Sequence, residues 1–481
     1  MLISPVERNR SIMLKDFLTG RRMLLAILIL LTISVWVILA FRLPVFRLLP
    51  GWFWDFIDKP WGNLPAFLLI AVPASIVLIV LRMNVKGKIG SLVILVLAGY
   101  SMQHGFALLE GRGIDGIRDR MVTTGHAEFA VTAVRQQSIW WTMSHYEELL
   151  RENKLGVYAR SKPPGQLLLY MVTERLGRAI HSNESDASRL DWLTTFASLV
   201  WPLITYLTFF PLFALGRIIA DEDIALRACA LFLFVPSVTL VTLHTDQVFF
   251  PLFATLVFLL GVQAIRNQGS LYGILLGVAF YVSLFFTFAM LFLGPLIVLT
   301  AALYGWQQKV GGRIVVLFLT MLIGVVLADL LFRVILNYDI LARFENALAH
   351  HEAWKIRVEV PLYWSMPVNL IEFAVWLGIP VALFSLVGIV DATVHLNFKS
   401  VTWASIFAIG LGIGVLSMDL IGRTKGEVAR LWIFVVPFVC LVAASQVYRL
   451  FKSEEGNRVF FLIMLLQIAT TYFLKVKQDF W

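Results

Sequence analysis

Long uninterrupted apolar runs decide what this chain can fold into. Residues 23–41 and 431–447 carry almost nothing that water would solvate. A lipid core about 30 Å thick is crossed by roughly 20 apolar residues in a helix. Inside lipid every backbone N–H and C=O must be satisfied within the segment, so such runs become helices. The rest of the chain supports this: charged residues are only 15% of the sequence and mean hydropathy is +0.81, against about a quarter charged in soluble domains. The chain therefore reads as an all-α, polytopic transmembrane helical bundle.

Thirteen segments qualify, at residues 23–41, 64–81, 89–109, 192–219, 225–243, 248–265, 271–287, 290–304, 314–336, 367–390, 401–418, 431–447 and 459–474, giving about thirteen spans. The first run is too long for a signal-peptide core and no small-residue cleavage site follows it, so it reads as a retained span. Arg8, Arg10, Lys15, Arg21 and Arg22 precede it and place the N-terminus in the cytoplasm. Alternation then puts Arg82, Lys86, Lys88, Lys309, Arg313, Arg449 and Lys452 inside, and residues 110–191, 244–247, 337–365 and 419–430 outside. The net charge of +9 comes largely from basic residues at segment ends, which is a membrane signature and not a nucleic-acid one. Cys229 and Cys440 lie in apolar runs, where a structural disulfide is not expected. No internal repeat is visible.

Function has to reside in the outer loops. The largest, residues 110–191, follows the third span. It reads as a helix near 125–138, a polar amphipathic stretch at 145–153, and an interfacial helix over 166–180 that is apolar on one face and carries Glu174, Arg175 and Arg178. Asp115, Asp119 and Glu128 are its candidate general bases. Asp115 and Asp119 have Arg112, Arg118 and Arg120 as neighbours, which suits plain salt bridges; Glu128, beside His126 at a helix start, is the preferred base. Lys162-Pro163-Pro164-Gly165 reads either as a helix start with a snorkelling lysine or as a lysine poised for a phosphate.

Two further segments complete the set. His244-Thr245-Asp246-Gln247 joins two spans, and Asp246 has no basic neighbour in sequence; a carboxylate at the edge of oil needs a partner or a task. Between Asp419 and Trp432 lie Arg423, Lys425, Glu427 and Arg430. Cations on the outer side run against the positive-inside pattern, so Lys425 and Arg430 are candidates to clasp an anion, with Glu427 orienting Arg423 or Arg430. An ordinary charged loop is the plain alternative. His350-His351-Glu352 is not expected to bind metal, because adjacent histidines on a helix point apart.

At these residues the chain resembles the GT-C superfamily of membrane glycosyltransferases, in the pattern of protein O-mannosyltransferases and lipid A aminoarabinose transferases. The resemblance covers residues 89–481 in topology, with residues 1–88 as an N-terminal cytoplasmic segment and two extra spans. It implies an acidic catalytic residue in the large outer loop, a Lys-Pro-Pro element matching Lys162-Pro163-Pro164, an outer-edge acid matching Asp246, and a late lipid-phosphate contact matching Arg423, Lys425 or Arg430. The family's Asp-Glu pair after the span is replaced here by Gly125-His126-Ala127-Glu128-Phe129, so Glu128, Asp115 and Asp119 all stay open as the acid. The implied activity is inverting transfer of one hexosyl or pentosyl unit from a polyprenyl-phosphate donor to a glycan, lipid or protein acceptor. It would occur on the extracytoplasmic face of the plasma membrane, as in cell-envelope glycan synthesis. The implied mechanism requires no cofactor and leaves a divalent metal open. A transporter or flippase for lipid-linked saccharides is the alternative; it calls for charges along the spans. A non-catalytic scaffold is a third.

Overall fold

The computed structural model describes residues 5–478 apart from 60–63, 84–87, 124–126, 137, 181–184, 243–246, 268, 356–359, 397–401, 425 and 452. Among the described residues all regular structure is helical, and the one extended pairing is an isolated antiparallel bridge between Phe56 and Gln478. The long first helices are α1 (Pro5–Ala40), α2 (Leu64–Met83) and α3 (Lys88–Leu108). A head of short helices follows: α4 (Gly113–Thr123), α5 (Ala127–Arg135), α6 (Ile139–Ser144), α7 (Tyr146–Arg151) and α8 (Gly165–Ile180). The chain then returns through α9 (Asp186–Val200), α10 (Pro202–Tyr206) and α11 (Phe209–Ile219). Next come α12 (Glu222–Leu233), α13 (Pro236–Val241), α14 (Phe250–Asn267), α15 (Ser270–Phe286), α16 (Leu293–Gln308) and α17 (Gly311–Leu336). The last third holds α18 (Ile340–Lys355), α19 (Leu362–Leu377), α20 (Ile379–Val394), α21 (Trp403–Leu420), α22 (Val428–Leu431), α23 (Val436–Leu450) and α24 (Ser453–Lys477).

Among the described residues, ten helical segments are long and apolar enough to cross a membrane, and eleven if the bent pair α19–α20 counts as one. This is consistent with an integral membrane protein. The difference from about thirteen spans has physical causes. Helix α15 is apolar but only 17 residues long. The 225–243 run is divided: α12 stops, Val235 turns extended, and Pro236 starts α13 at a position that needs no N–H. Residues 367–390, expected as one span, bend by 119° between α19 and α20. The hinge is Gly378, at φ +80°, with Pro380 just beyond. There the Gln467 side chain lies against the glycine and donates from Nε2 to Leu377 O at 2.7 Å. A side chain at that point would have to displace the Gln467 amide and adopt a positive φ.

Close packing follows small residues. Helices α15 and α17 touch where Gly277 faces the Met321 carbonyl and Gly324 faces the Ile274 carbonyl; a Cβ at either would collide with backbone. Helix α17 leaves Val315, Leu319, Leu322, Leu327 and Leu331 exposed, a surface suited to lipid. Cys229 and Cys440 are both free and buried, as expected.

Polar contacts sort the loops into two groups at opposite helix ends. Lys88 pairs with Asp223 at 3.0 Å, Arg21 with Glu455 at 3.5 Å, and Arg227 bonds Asn457 at 2.6 Å. These join the start of α3, the starts of α12 and α24, and the early part of α1. At the other ends, Glu110 takes Lys59 (3.0 Å) and Lys475, while Asp58 takes Arg42 and Lys477 (2.8 Å). The backbone of 57–59 bonds the end of α24 alongside, Ile57 N to Lys477 O and Lys59 N to Val476 O, both at 3.1 Å. Lys477, contributing most, and Arg42 hold the Asp58 carboxyl below the usual carboxylate range. The large loop, α18 and the 419–430 segment lie with this second group, as the contacts below establish.

Candidate functional site

The 110–191 region has its own apolar core, built from Phe129, Val134, Tyr146, Leu149, Leu155, Tyr170, Trp201 and Val248 among others. Helix α5 packs one face into it, burying Phe129, Ala130 and Ala133. Glu128, in the first turn, is left at the edge. Its Oε2 accepts the Tyr158 backbone N–H at 3.0 Å. Gly156, at φ +85°, makes this approach possible: a Cβ there would overlap the Glu128 carboxylate. Glu128 is thus held at one carboxylate oxygen, and no partner of the other occurs among the described residues.

Tyr158–Ser161 forms a single 3₁₀ turn that leads directly to Lys162. The Lys162 ammonium lies 5.8 Å from the centroid of the Phe129 ring, next in sequence to Glu128, and Phe129 stacks on Tyr170 of α8 at 6.1 Å. Pro163 and Pro164 then set the entry of α8, with Leu168 N donating to Pro164 O at 2.9 Å. Gly165 is required for packing: a Cβ would strike the Phe285 carbonyl and Phe286 of α15. The Lys-Pro-Pro-Gly run therefore fixes where α8 meets the bundle, and Lys162 stands at that junction.

Asp115 and Asp119 are engaged locally. Arg118 lies 3.8 Å from Asp115 and also pairs with Asp191, and Arg112 pairs with Asp119. That is the salt-bridge arrangement their neighbours suggested. His126, His244, Asp246 and Lys425 lie outside the described residues. Gln247 is buried beside Val248, whose carbonyl accepts the Thr205 hydroxyl at 3.2 Å.

The late loop is held from below by α19. Asn369 donates from Nδ2 to Asp419 Oδ1 (2.8 Å) and to Thr424 O (2.9 Å), and its Oδ1 accepts Gly426 N–H at 3.1 Å. One turn on, fully buried Glu372 accepts the Trp54 indole N–H (2.9 Å) and the Ala429 N–H (3.1 Å) on the same oxygen. The loop needs this support, because Gly422, Gly426 and Glu427 all take positive φ, and Glu427 does so with a side chain. Arg430 pairs with Glu427, and Arg423 pairs with Glu352 of α18 at 2.8 Å while His351 donates to the Arg423 carbonyl at 3.2 Å. Of the two arginines considered for Glu427, Arg430 is the one beside it; Arg423 lies beside Glu352.

Asn369, Glu372, Arg343 and Trp54 are the structural partners that motif reading passed over. A signal existed for one of them: Glu372 is the only charged residue in 367–390, and an acid inside an apolar run calls for explanation. Arg343 had none, because its partners lie about 190 residues away in the chain. No group of three or more His, Cys, Asp or Glu side chains arranged for a metal exists among the described residues.

No protein-family model and no curated protein matches this chain. Among solved structures, it is similar to the crystal structure of the Archaeoglobus fulgidus oligosaccharyltransferase complex with Zn and sulfate, at 17% identity and a TM-score of 0.44. The match covers 65% of this chain and 44% of that one, so the chain spans less than half the length of the structure it matches.

Proposed function

We propose that this chain is a membrane glycosyltransferase of the GT-C type, moving one sugar from a polyprenyl-phosphate donor to an acceptor on the extracytoplasmic face of the plasma membrane. The observation that carries the reading is the 156–162 turn. Through it an acid, Glu128, held there by one oxygen, and a cation, Lys162, are tied to one short piece of backbone beside α8.

In this reaction Glu128 accepts the proton of the acceptor hydroxyl. The acceptor oxygen forms its bond to the anomeric carbon as the bond from that carbon to the phosphate oxygen breaks, with inversion. The electron pair leaves with the lipid phosphate, whose charge is met by fixed cations. Lys162 is the first of these, and Arg423, Lys425 and Arg430 supply the others. His126, His244, Asp246 and Gln247 are assigned to sugar and acceptor hydroxyls. The apolar spans retain the isoprenoid tail, which leaves lipid only at a high cost. The step balances without a metal, and a divalent ion is neither required nor excluded.

The test is transfer of radiolabel from polyprenyl-phosphate sugars by the purified protein. Glu128→Gln keeps an acceptor for Tyr158 N–H but removes the base. Transfer should fall by about 10²-fold or more, with the folded yield unchanged. Ordinary transfer by this variant would take Glu128 out of the mechanism and turn attention to Asp115 and Asp119.

A further inference from the structure

Helix α18 touches both parts of this site. Near its start Arg343, only 1% exposed, sends Nη1 to Glu147 Oε1 at 3.0 Å and Nη2 to the Arg160 carbonyl. Asn346, one turn on, donates to the other oxygen of Glu147 at 3.0 Å. Near its end, His351 and Glu352 hold Arg423. One 16-residue helix thus spans from the Glu128–Lys162 turn to the cationic loop.

The turn itself is weak. A four-residue 3₁₀ segment has poor internal hydrogen bonds, so donors from outside set its position. Among the described residues, Arg343 and Tyr146 are donors of this kind. Arg343 takes the Arg160 carbonyl, and the buried Tyr146 hydroxyl lies 3.2 Å from the Ala159 carbonyl and 3.4 Å from that of Lys162. The Arg343 guanidinium also sits 6.0 Å from the Tyr146 ring centroid. An apolar residue would pack α18 without burying a charge, which is expensive. The planar fork of an arginine does what an apolar residue would not: it fixes the distance between a carboxylate on α7 and a carbonyl of the turn.

We infer that Arg343 is a positioning residue, holding the 158–162 turn so that Glu128, bonded to its first amide, and Lys162, at its end, keep a fixed separation, with α18 carrying that constraint to the Arg423 loop. Which reaction this serves rests on the glycosyl-transfer reading; the restraint on the turn does not.

The experiment uses the full chain in lipid nanodiscs, with Arg343→Gln, Arg343→Lys and Tyr146→Phe. Amide hydrogen exchange over 156–162 is read alongside kcat and donor KM. Arg343→Gln and Tyr146→Phe should raise exchange in the turn by about tenfold. They should lower kcat by about tenfold, with donor KM within about twofold, because misplacement acts on the aligned transition state. Arg343→Lys, which keeps the charge, should recover part of both. Unchanged exchange in folded Arg343→Gln overturns the inference. So does raised exchange with unchanged kcat in an active protein. If Arg343→Gln does not fold, Tyr146→Phe, which loses only a hydroxyl, decides. A wild-type chain that transfers no sugar refutes the proposed function, while the exchange result still tests the restraint.

Discussion

At Gly156 the backbone sits at φ +85° and the Glu128 carboxylate occupies the space where a side chain would begin. Gly156→Ala meets both obstacles. It should cost about 1–2 kcal/mol in stability from the left-handed backbone alone. Because the displaced group is Glu128, transfer should fall further than the loss of folded protein explains; thermal unfolding and specific activity per folded molecule check this. Equal loss in both would mean that Glu128 is not displaced. Glu372 makes a related point. One buried oxygen holds Trp54, between α1 and α2, and Ala429, in the first turn of α22. Its sequence setting, one acid within apolar residues, marks it as unusual. Nothing in the sequence says that two N–H groups from opposite ends of the chain would meet it.

Helix α18 depends on its first turn. Asp339 Oδ1 accepts the N–H groups of Leu341 (2.9 Å) and Ala342 (3.0 Å), and its Oδ2 pairs with Arg333 at 2.7 Å. The Ala342 amide above all, with Arg333, holds the Asp339 carboxyl below its ordinary value. A depressed carboxyl adds stability above the unfolded-state pKa, and that stability is lost as pH falls through the lower folded-state value. Docking of α18 should therefore be constant at neutral pH and weaken only in strong acid, below the ordinary aspartate range. Asp339→Ala should cost about 1 kcal/mol at pH 7 and remove this acid dependence, read as amide exchange across 341–346 between neutral pH and pH 3. A variant whose exchange still follows wild type in acid would assign the titration elsewhere. Helices α5, α7 and α8 were legible as helical or amphipathic stretches at 125–138, 145–153 and 166–180 because their apolar faces repeat at helical spacing. The α19–α20 bend was not. Gly378 within 367–390 reads as a tolerated small residue until Gln467, from α24, is found filling its place.

Across the whole molecule, two sets of ion pairs and hydrogen bonds mark opposite helix ends. Lys88–Asp223 and Arg21–Glu455 lie at one. Lys59–Glu110, Arg343–Glu147 and Arg423–Glu352 lie at the other. Trp140 donates to the Ile335 carbonyl at 2.7 Å, and Asn337 to that of Ser144 at 3.3 Å, so the large loop meets the end of α17 on this second side. If the basic N-terminus stays in the cytoplasm, a cysteine placed at Asp119 should react with a membrane-impermeant maleimide from outside intact cells. Labelling only after the cytoplasmic side is opened would reverse the orientation and move the proposed chemistry to the inner face.

The sequence by itself determined that the chain is helical and oily, where most of the long segments lie, and which loops carry charge, because these depend on local hydropathy and spacing. It did not determine the bend at Gly378, the break before Pro236, or the partners of Glu128, Glu372 and Arg343. Those depend on which distant groups arrive at the same place, and a buried polar atom must find its partner wherever the packed chain brings one. Only the tertiary structure decided that Lys162 lies over the ring next to Glu128, and that α18 joins their turn to the late cationic loop.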